Sequence, residues 1–421
     1  MFNFNSLPFF DNHSHLINWG EKDGKQFCLT TVEKTPAELM LPFYHGYRDI
    51  PPPDGKGKGS CSPELLEHMK NLGVNRLMVH YLSQYLKCDA TLEAVVAARN
   101  ERTKKDLTGY TKALYEDQNI IGEVTDLPNP MNDPLLDQCF PIKVLRLFQF
   151  EPLLNKLLRE NPNIDSFMEK FSAAIRQAAA DNYCGIKAHI FELITSDIYE
   201  VDKETAASNY EGAKNIVSSG ESGWNISSII KGKQSDIDAY NKFYLYVFAQ
   251  TMLLAAEVDL TLHMHTGNTG SMPPNGIWKN LHPGRLGVLL TDIKYRSTKL
   301  VFLHANMSVN SKGVAVLAHS YLNVYVDFSC ALPWTNINFT QYLEEVMGHA
   351  PWDKIMFGTG QHDNAEMAWC SAKLAKSALA YVLDKAVYMN QITYENAQEA
   401  AEMLLYKNAQ KLYARQLKKL S

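Results

Sequence analysis

His13 and His15 stand two residues apart in FFDNHSHL, at the end of the first apolar run of the chain. On a strand, positions i and i+2 project from the same face. Two imidazoles at this spacing therefore reach one point, as two nitrogen ligands of a single cation must. A second pair, His263 and His265, ends the run VDLTLHMH, His304 ends KLVFLHAN, and Lys187 lies in GIKAHIF. Ionisable side chains at one end of several buried parallel strands converge on one mouth, and imidazoles gathered there suit zinc or another divalent metal. Taken singly, each histidine is more simply a core or loop residue. It is the set that points to a metal centre.

Further residues would line the same mouth. Arg146, in VLRLF, shares a strand face with Val144 and Phe148. If that face is the inner one, its guanidinium is placed to hold a substrate carboxylate through two parallel hydrogen bonds; a buried structural ion pair is the alternative. His189 follows Lys187 by two residues, faces the same way and lines the pocket. Asp327, in NVYVDFS, either orients a ligand histidine or forms a turn.

The elements that must position these residues follow from composition and pattern. With 421 residues, 46% of them hydrophobic and 21% charged, the chain has the balance of an ordinary globular protein. A net charge of −5 leaves no basic footprint, so a small molecule is the expected partner and nucleic acid is not. The composition is compatible with a homo-oligomer. Seven scattered cysteines without a Cys-x-x-Cys indicate neither a disulfide framework nor a zinc ribbon, and fit a reducing compartment. MFNFNSLPFF lacks the pattern of a signal peptide, and no apolar run approaches the roughly 18 residues of a membrane span. A cytoplasmic protein with no membrane contact is the expectation.

Short β-rich runs alternate with long helical patterns, which predicts parallel strands joined by crossover helices, closed as a (β/α)8 barrel in a single domain over residues 1–421. Strands are expected at 8–13, 74–80, 142–148, 185–191, 258–264, 299–304, 323–328 and 353–358, with NIIGEV at 119–124 set aside as part of an insertion. Ser166 with Glu169, and Ser235 with Asp238, have the spacing of helix-opening capping boxes. Two stretches break the rhythm, about 18–62 with its PPPDGKGKGS cluster and about 195–234, after the first and fourth strands. Both are read as loop insertions, either surface decoration or walls and lids of a site.

The motifs, taken together, resemble the amidohydrolase superfamily, in its amidohydrolase 2 branch. FFDNHSHL is similar to the family's first-strand metal motif, and GIKAHIF, LTLHMHTGNTG, KLVFLHAN, NVYVDFS and DKIMFGTG follow in the order of its later strands. YKNAQKLY is similar to the ending of that branch. VLRLFQFEPLL, GIKAHI and MHTGNTG look closest to the barrel half fused to some glutamine synthetases. The resemblance implies a metal-dependent hydrolase of amide, lactone or related C–N or C–O bonds, with one or two divalent ions. It implies His13, His15, His265 and His304 as metal ligands, with His265 and not His263 as the fifth-strand ligand. Lys187 matches a lysine that in many members is carboxylated and bridges two metals; left unmodified, it would bind a substrate carboxylate or pair with Asp327.

The chain departs from the family at the eighth strand. Where an aspartate is expected to bind metal and shuttle a proton, it reads Phe357-Gly358-Thr359-Gly360. Either Asp363 or His362 takes over the catalytic role, or the site is altered or degenerate, in which case an aspartate at 360 would return an anionic oxygen beside the cation. A non-hydrolytic decarboxylase or isomerase, and a barrel kept as a binding scaffold, are the alternatives to a hydrolase.

Overall fold

The computed structural model describes residues 2–15, 32–40, 62–126, 142, 144–194, 196–218, 232–267, 282–307, 311–361 and 364–420, and the backbone of 19–22 and 25–28. Eight strands, β1 (Phe9–His15), β2 (Ile120–Asp126), β3 (Val144–Gln149), β4 (Gly185–Ala188), β5 (Thr261–Met264), β6 (Leu300–Phe302), β7 (Val324–Asp327) and β8 (Ile355–Met356), pair in parallel in chain order. The circle is closed by backbone bonds between β1 and the chain at and beyond β8. Asn12 N donates to Phe357 O at 2.9 Å, Gly360 N to His13 O at 2.8 Å and His15 N to Gln361 O at 2.9 Å. This is the (β/α)8 barrel expected from the alternation, with a short antiparallel ribbon, Trp19–Lys22 against Lys25–Cys28, after β1.

One strand assignment is overturned at each end of a swap. Residues 74–80 are not a strand but part of helix Gly73–Leu86, where Val74, Met78, Leu82 and Leu86 are buried at four-residue spacing, the period of a helix face. NIIGEV belongs to the barrel: β2 pairs with β1, His15 opposite Asp126, and with β3, Thr125 opposite Arg146. Gly122 in its middle weakens the strand signal for a packing reason. A Cβ there would lie 2.5 Å from the Phe10 ring, so only glycine admits that ring.

Helix starts also shift. The helix that buries Phe167, Phe171, Ile175 and Ala178 runs Ile164–Ala180, and its cap is Asn163, which accepts from Ser166 N at 3.0 Å, not Ser166. The long helix Gln234–Glu257 starts behind Lys233 without a side-chain cap. It is held instead by a largely buried surface, including Phe243, Tyr244 and Phe248. Within 195–234 the structure forms two helices, Lys203–Ser208 and Tyr210–Ser218, and Tyr210 meets Phe243 edge-on with ring centroids 5.4 Å apart. Residues 41–61, with PPPDGKGKGS, and 219–231 lie outside the described residues. Among the described residues no helix is long and apolar enough to cross a membrane.

Inside the barrel, Phe10, Val124, Leu145, Leu147, Cys184, Val301, Leu303 and Met356 form a second core, sealed by Ala409, Leu412 and Tyr413 from the C-terminal segment. Asn408 anchors that segment by donating to the carbonyls of Trp352 at 2.7 Å and Ile355 at 2.8 Å. The Asn-Ala and Leu-Tyr pairs of YKNAQKLY are therefore the plug of the barrel floor.

Candidate metal centre at the barrel mouth

The C-terminal ends of the strands carry the titratable residues. Against β2, the register of β1 shifts between Asp11 and Ser14, an irregularity of the kind that re-aims side chains next to sites. His13 Nε2 lies 3.2 Å from Lys187 Nζ on β4. Lys187 Nζ is in turn 3.5 Å from Asp126 Oδ2 at the end of β2, and His15 Nδ1 is 3.9 Å from the same oxygen. His13, His15 and Asp126 offer ligand atoms within 4.8 Å of one another. Gln149, at the end of β3, donates to Asp126 Oδ1 at 2.9 Å.

On the far side of the mouth, His265 and His304 meet with Nδ1 and Nε2 3.2 Å apart, and the His13 ring lies 5.5 Å from that of His304. His304 begins three consecutive left-handed residues, with φ of 66°, 46° and 52° at His304, Ala305 and Asn306. That backbone is costly for residues with a Cβ and concentrates at functional sites. Its Nδ1 lies 2.9 Å from Ser329 O and 3.0 Å from Ser329 Oγ, which turns Nε2 toward His265 and the mouth. Asp327 accepts from the Ser329 hydroxyl, from Ser329 N at 2.9 Å and from Asn12 Nδ2 at 2.9 Å, so it acts on His304 through Ser329. Burial pushes the Asp327 carboxyl up to about 6.

Burial sets the protonation of these histidines. It holds His13 well below its ordinary value, with Lys187 adding to the effect, and it lowers His265 to about 4 against the opposing pull of Glu192. Both rings are neutral at pH 7, the form that ligates metal. His13 Nδ1 is buried without a hydrogen-bond partner among the described residues. That is a cost which a cation at the ring would remove, so the donors fit a divalent metal. His263 has a different environment, one step further down β5. Its Nε2 contacts Thr261 Oγ1 at 2.9 Å and Tyr413 OH at 3.2 Å, and burial lowers it to about 3.

Several expectations are corrected. Arg146 does not face inward: Leu145 and Leu147 fill the interior, and Arg146 shares the opposite face with Phe148, which packs edge-on against Tyr183 at 5.3 Å. The carboxylate beside Lys187 is Asp126 and not Asp327. Gly360 has φ of +60°, and a Cβ there would lie 2.3 Å from Cys330 Sγ and 2.4 Å from Cys330 N. An aspartate at 360 has no room, so restoring the family carboxylate is not a simple repair. His362 and Asp363 lie outside the described residues.

The sequence reading missed Asp126, Glu151 and Glu192. Asp126 was hidden because its strand was set aside, although the run TD beyond NIIGEV has the same form as other strand ends. Glu192 lies 3.1 Å from His265 Nε2. Glu151, in VLRLFQFEPLL, accepts from His189 N at 2.6 Å and Tyr244 OH at 2.7 Å, and its second oxygen is 3.3 Å from His189 Nδ1.

Comparisons with known proteins agree with this architecture. Residues 232–415 match the amidohydrolase family model. Protein fluG of Emericella nidulans is 26% identical over 433 residues, covering 96% of this chain but 45% of that protein, so the chain spans less than half of its relative. Among solved structures, a candidate metal-dependent hydrolase from Lactobacillus casei ATCC 334 superposes with a TM-score of 0.74 at 17% identity, over 99% of both chains. Uronate isomerase from Thermotoga maritima gives 0.66 at 13% identity over 97% of this chain and 95% of that one. Glucuronate isomerase from Caulobacter crescentus gives 0.67 at 14% identity over 98% and 92%. These structures share the fold, and the stretch that holds strands β5 to β8, residues 232–415, is similar to the amidohydrolase family.

Proposed function

We propose that the chain is a divalent-metal-dependent enzyme that hydrolyses an amide, lactone or related C–N or C–O bond of a small molecule. The observation that carries this reading is the buried, neutral His13 ring with an unpartnered nitrogen, set among His15, Asp126 and Lys187 and facing His304. His13, His15, His265 and His304 hold the cation, for which zinc suits the nitrogen donors. When bound, such an ion polarises a substrate oxygen and acidifies water. Asp126 adds a carboxylate oxygen to the ligand set. The Lys187 amine is the group that carbon dioxide would convert to a carbamate; unmodified, it pairs with Asp126. Ser329 holds the His304 ring at Nδ1 and so aims Nε2 at the mouth. With glycine at 360, proton transfer falls to Asp363, His362 or Asp126.

A second reading, isomerisation of a uronic acid, is favoured by one observation. Cys330 excludes a carboxylate at position 360, the usual base for hydrolysis, and two solved structures of similar fold are uronate and glucuronate isomerases. Metal analysis of protein purified without chelator or metal-affinity resin, followed by assays on amide and lactone panels and on uronic acids, separates the two. About one or two metal equivalents with bond cleavage supports hydrolysis. The same metal content with aldose–ketose interconversion alone moves the assignment to an isomerase. Protein that takes up no divalent metal loses both readings and is left as a binding scaffold.

A further inference from the structure

Beside the His13 group, the mouth contains a second cluster, of which the proposed reaction uses His265 alone. His189 and Glu192 stand one helical turn apart just after β4, with Glu192 N donating to His189 O at 3.0 Å. The backbone bond from His265 N to Ala188 O, 2.9 Å, brings the end of β5 alongside. There the His265 ring stacks on that of His189, with centroids 5.2 Å apart and an interplanar angle of 25°. One nitrogen from each ring and one oxygen of Glu192 lie within 4.8 Å of one another, and all three residues are buried. Two imidazoles and a glutamate are a complete protein donor set for zinc with one position left open.

The shell behind the cluster is built as well. Glu151 faces His189 Nδ1 at 3.3 Å and is itself held by His189 N and by the Tyr244 hydroxyl. A carboxylate on one imidazole nitrogen fixes the tautomer and the orientation of the ring, as Glu151 does here for His189. His265 stands between the clusters, Nδ1 toward His304 and Nε2 toward Glu192. A neutral imidazole offers one lone pair, so with both cations bound His265 serves this site, while His13, His15, His304 and Asp126 keep the other.

We infer that His189, Glu192 and His265, with Glu151 orienting His189, form a second divalent-cation site of zinc type, separate from the His13, His15 and Asp126 group. The inference rests on the reading of the mouth as a metal centre only through the shared His265. The test is stoichiometry: the full chain, stripped with chelator and freed of it, is titrated with Co2+ and read by visible absorption and by bound metal after gel filtration. Wild type takes up about two equivalents, His13→Ala keeps about one, Glu192→Gln keeps about one, and the double variant binds none. A His13→Ala chain that binds no Co2+, or a Glu192→Gln chain that still binds as much as wild type, overturns the second site. If Glu192→Gln does not melt cooperatively, His189→Gln in the His13→Ala background replaces it, and retained Co2+ there overturns the site equally. Uptake that is lost with Glu192 and indifferent to His13 leaves this site standing and sinks the proposed catalytic centre instead.

Discussion

The two ends of the same eight strands are built differently. At the N-terminal end the interior is Phe10, Leu145, Val301 and Met356, plugged by Leu412 and Tyr413, whose hydroxyl donates to Asn12 Oδ1 at 2.7 Å. At the C-terminal end the strands carry His13, His15, Asp126, Lys187, His265 and His304, with an imidazole nitrogen of His13 unpartnered among the described residues and left-handed backbone at His304, Cys330 and Gly360. The floor is a packed core that contributes stability. The mouth tolerates buried charge and unfavourable φ angles because the ring of strands below it holds the chain in place.

The sharpest way to break that contrast is Tyr413→Ala. It empties the floor and removes two hydrogen-bond partners, and should cost about 3–5 kcal/mol in urea unfolding while leaving metal uptake of the folded fraction unchanged. A cost below about 1 kcal/mol would mean that the floor is not a core. Next in size is Gly360→Ala. A left-handed φ costs a residue with a Cβ about 1–2 kcal/mol and the Cys330 contact adds a similar amount, so a loss of roughly 2–4 kcal/mol is expected. Gly360→Asp should destabilise at least as much, and pairing either with Cys330→Gly should recover part of the loss. Equal stability of Gly360→Ala and wild type would remove the steric account.

Glu123 sharpens the comparison on the outer side of β2, where it accepts from Tyr115 OH at 2.9 Å and from the Ser14 hydroxyl. Burial raises its carboxyl from 4.5 to about 7. A raised folded-state value means that the folded chain holds the proton more tightly. The stabilisation is complete below about pH 4.5 and is lost as pH rises through about 7, by up to roughly 3 kcal/mol. Glu123→Gln should flatten this pH dependence of the urea midpoint, and identical pH profiles for the two chains would refute it. The smallest effect is expected at Arg146. Because it lies on the face away from the mouth, Arg146→Gln should alter KM by less than about twofold, whereas a substrate clamp would lose about 1.5–3 kcal/mol of binding.

Strand β1 and the histidines that end β5 and β6 were legible because i, i+2 spacing and an apolar run ending in an imidazole are local patterns. Helix Gly73–Leu86 was not, since its seven-residue stretch VNRLMVH satisfies a strand pattern and reveals its four-residue period only over its full length. Strand β2 was obscured by Gly122, whose purpose lies in a ring on another strand.

What the sequence by itself determined is the barrel architecture and the gathering of histidines at the C-terminal ends of its strands, because alternation and strand-end position are encoded within a few residues. Only the tertiary structure decided that Arg146 points outward, that Asp126 and not Asp327 faces Lys187, that Glu151 and Glu192 join His189 and His265, and that Cys330 fills the space beside Gly360. A period of two defines two faces of a strand without saying which is inside, and contacts across a closed barrel join residues tens to hundreds of positions apart.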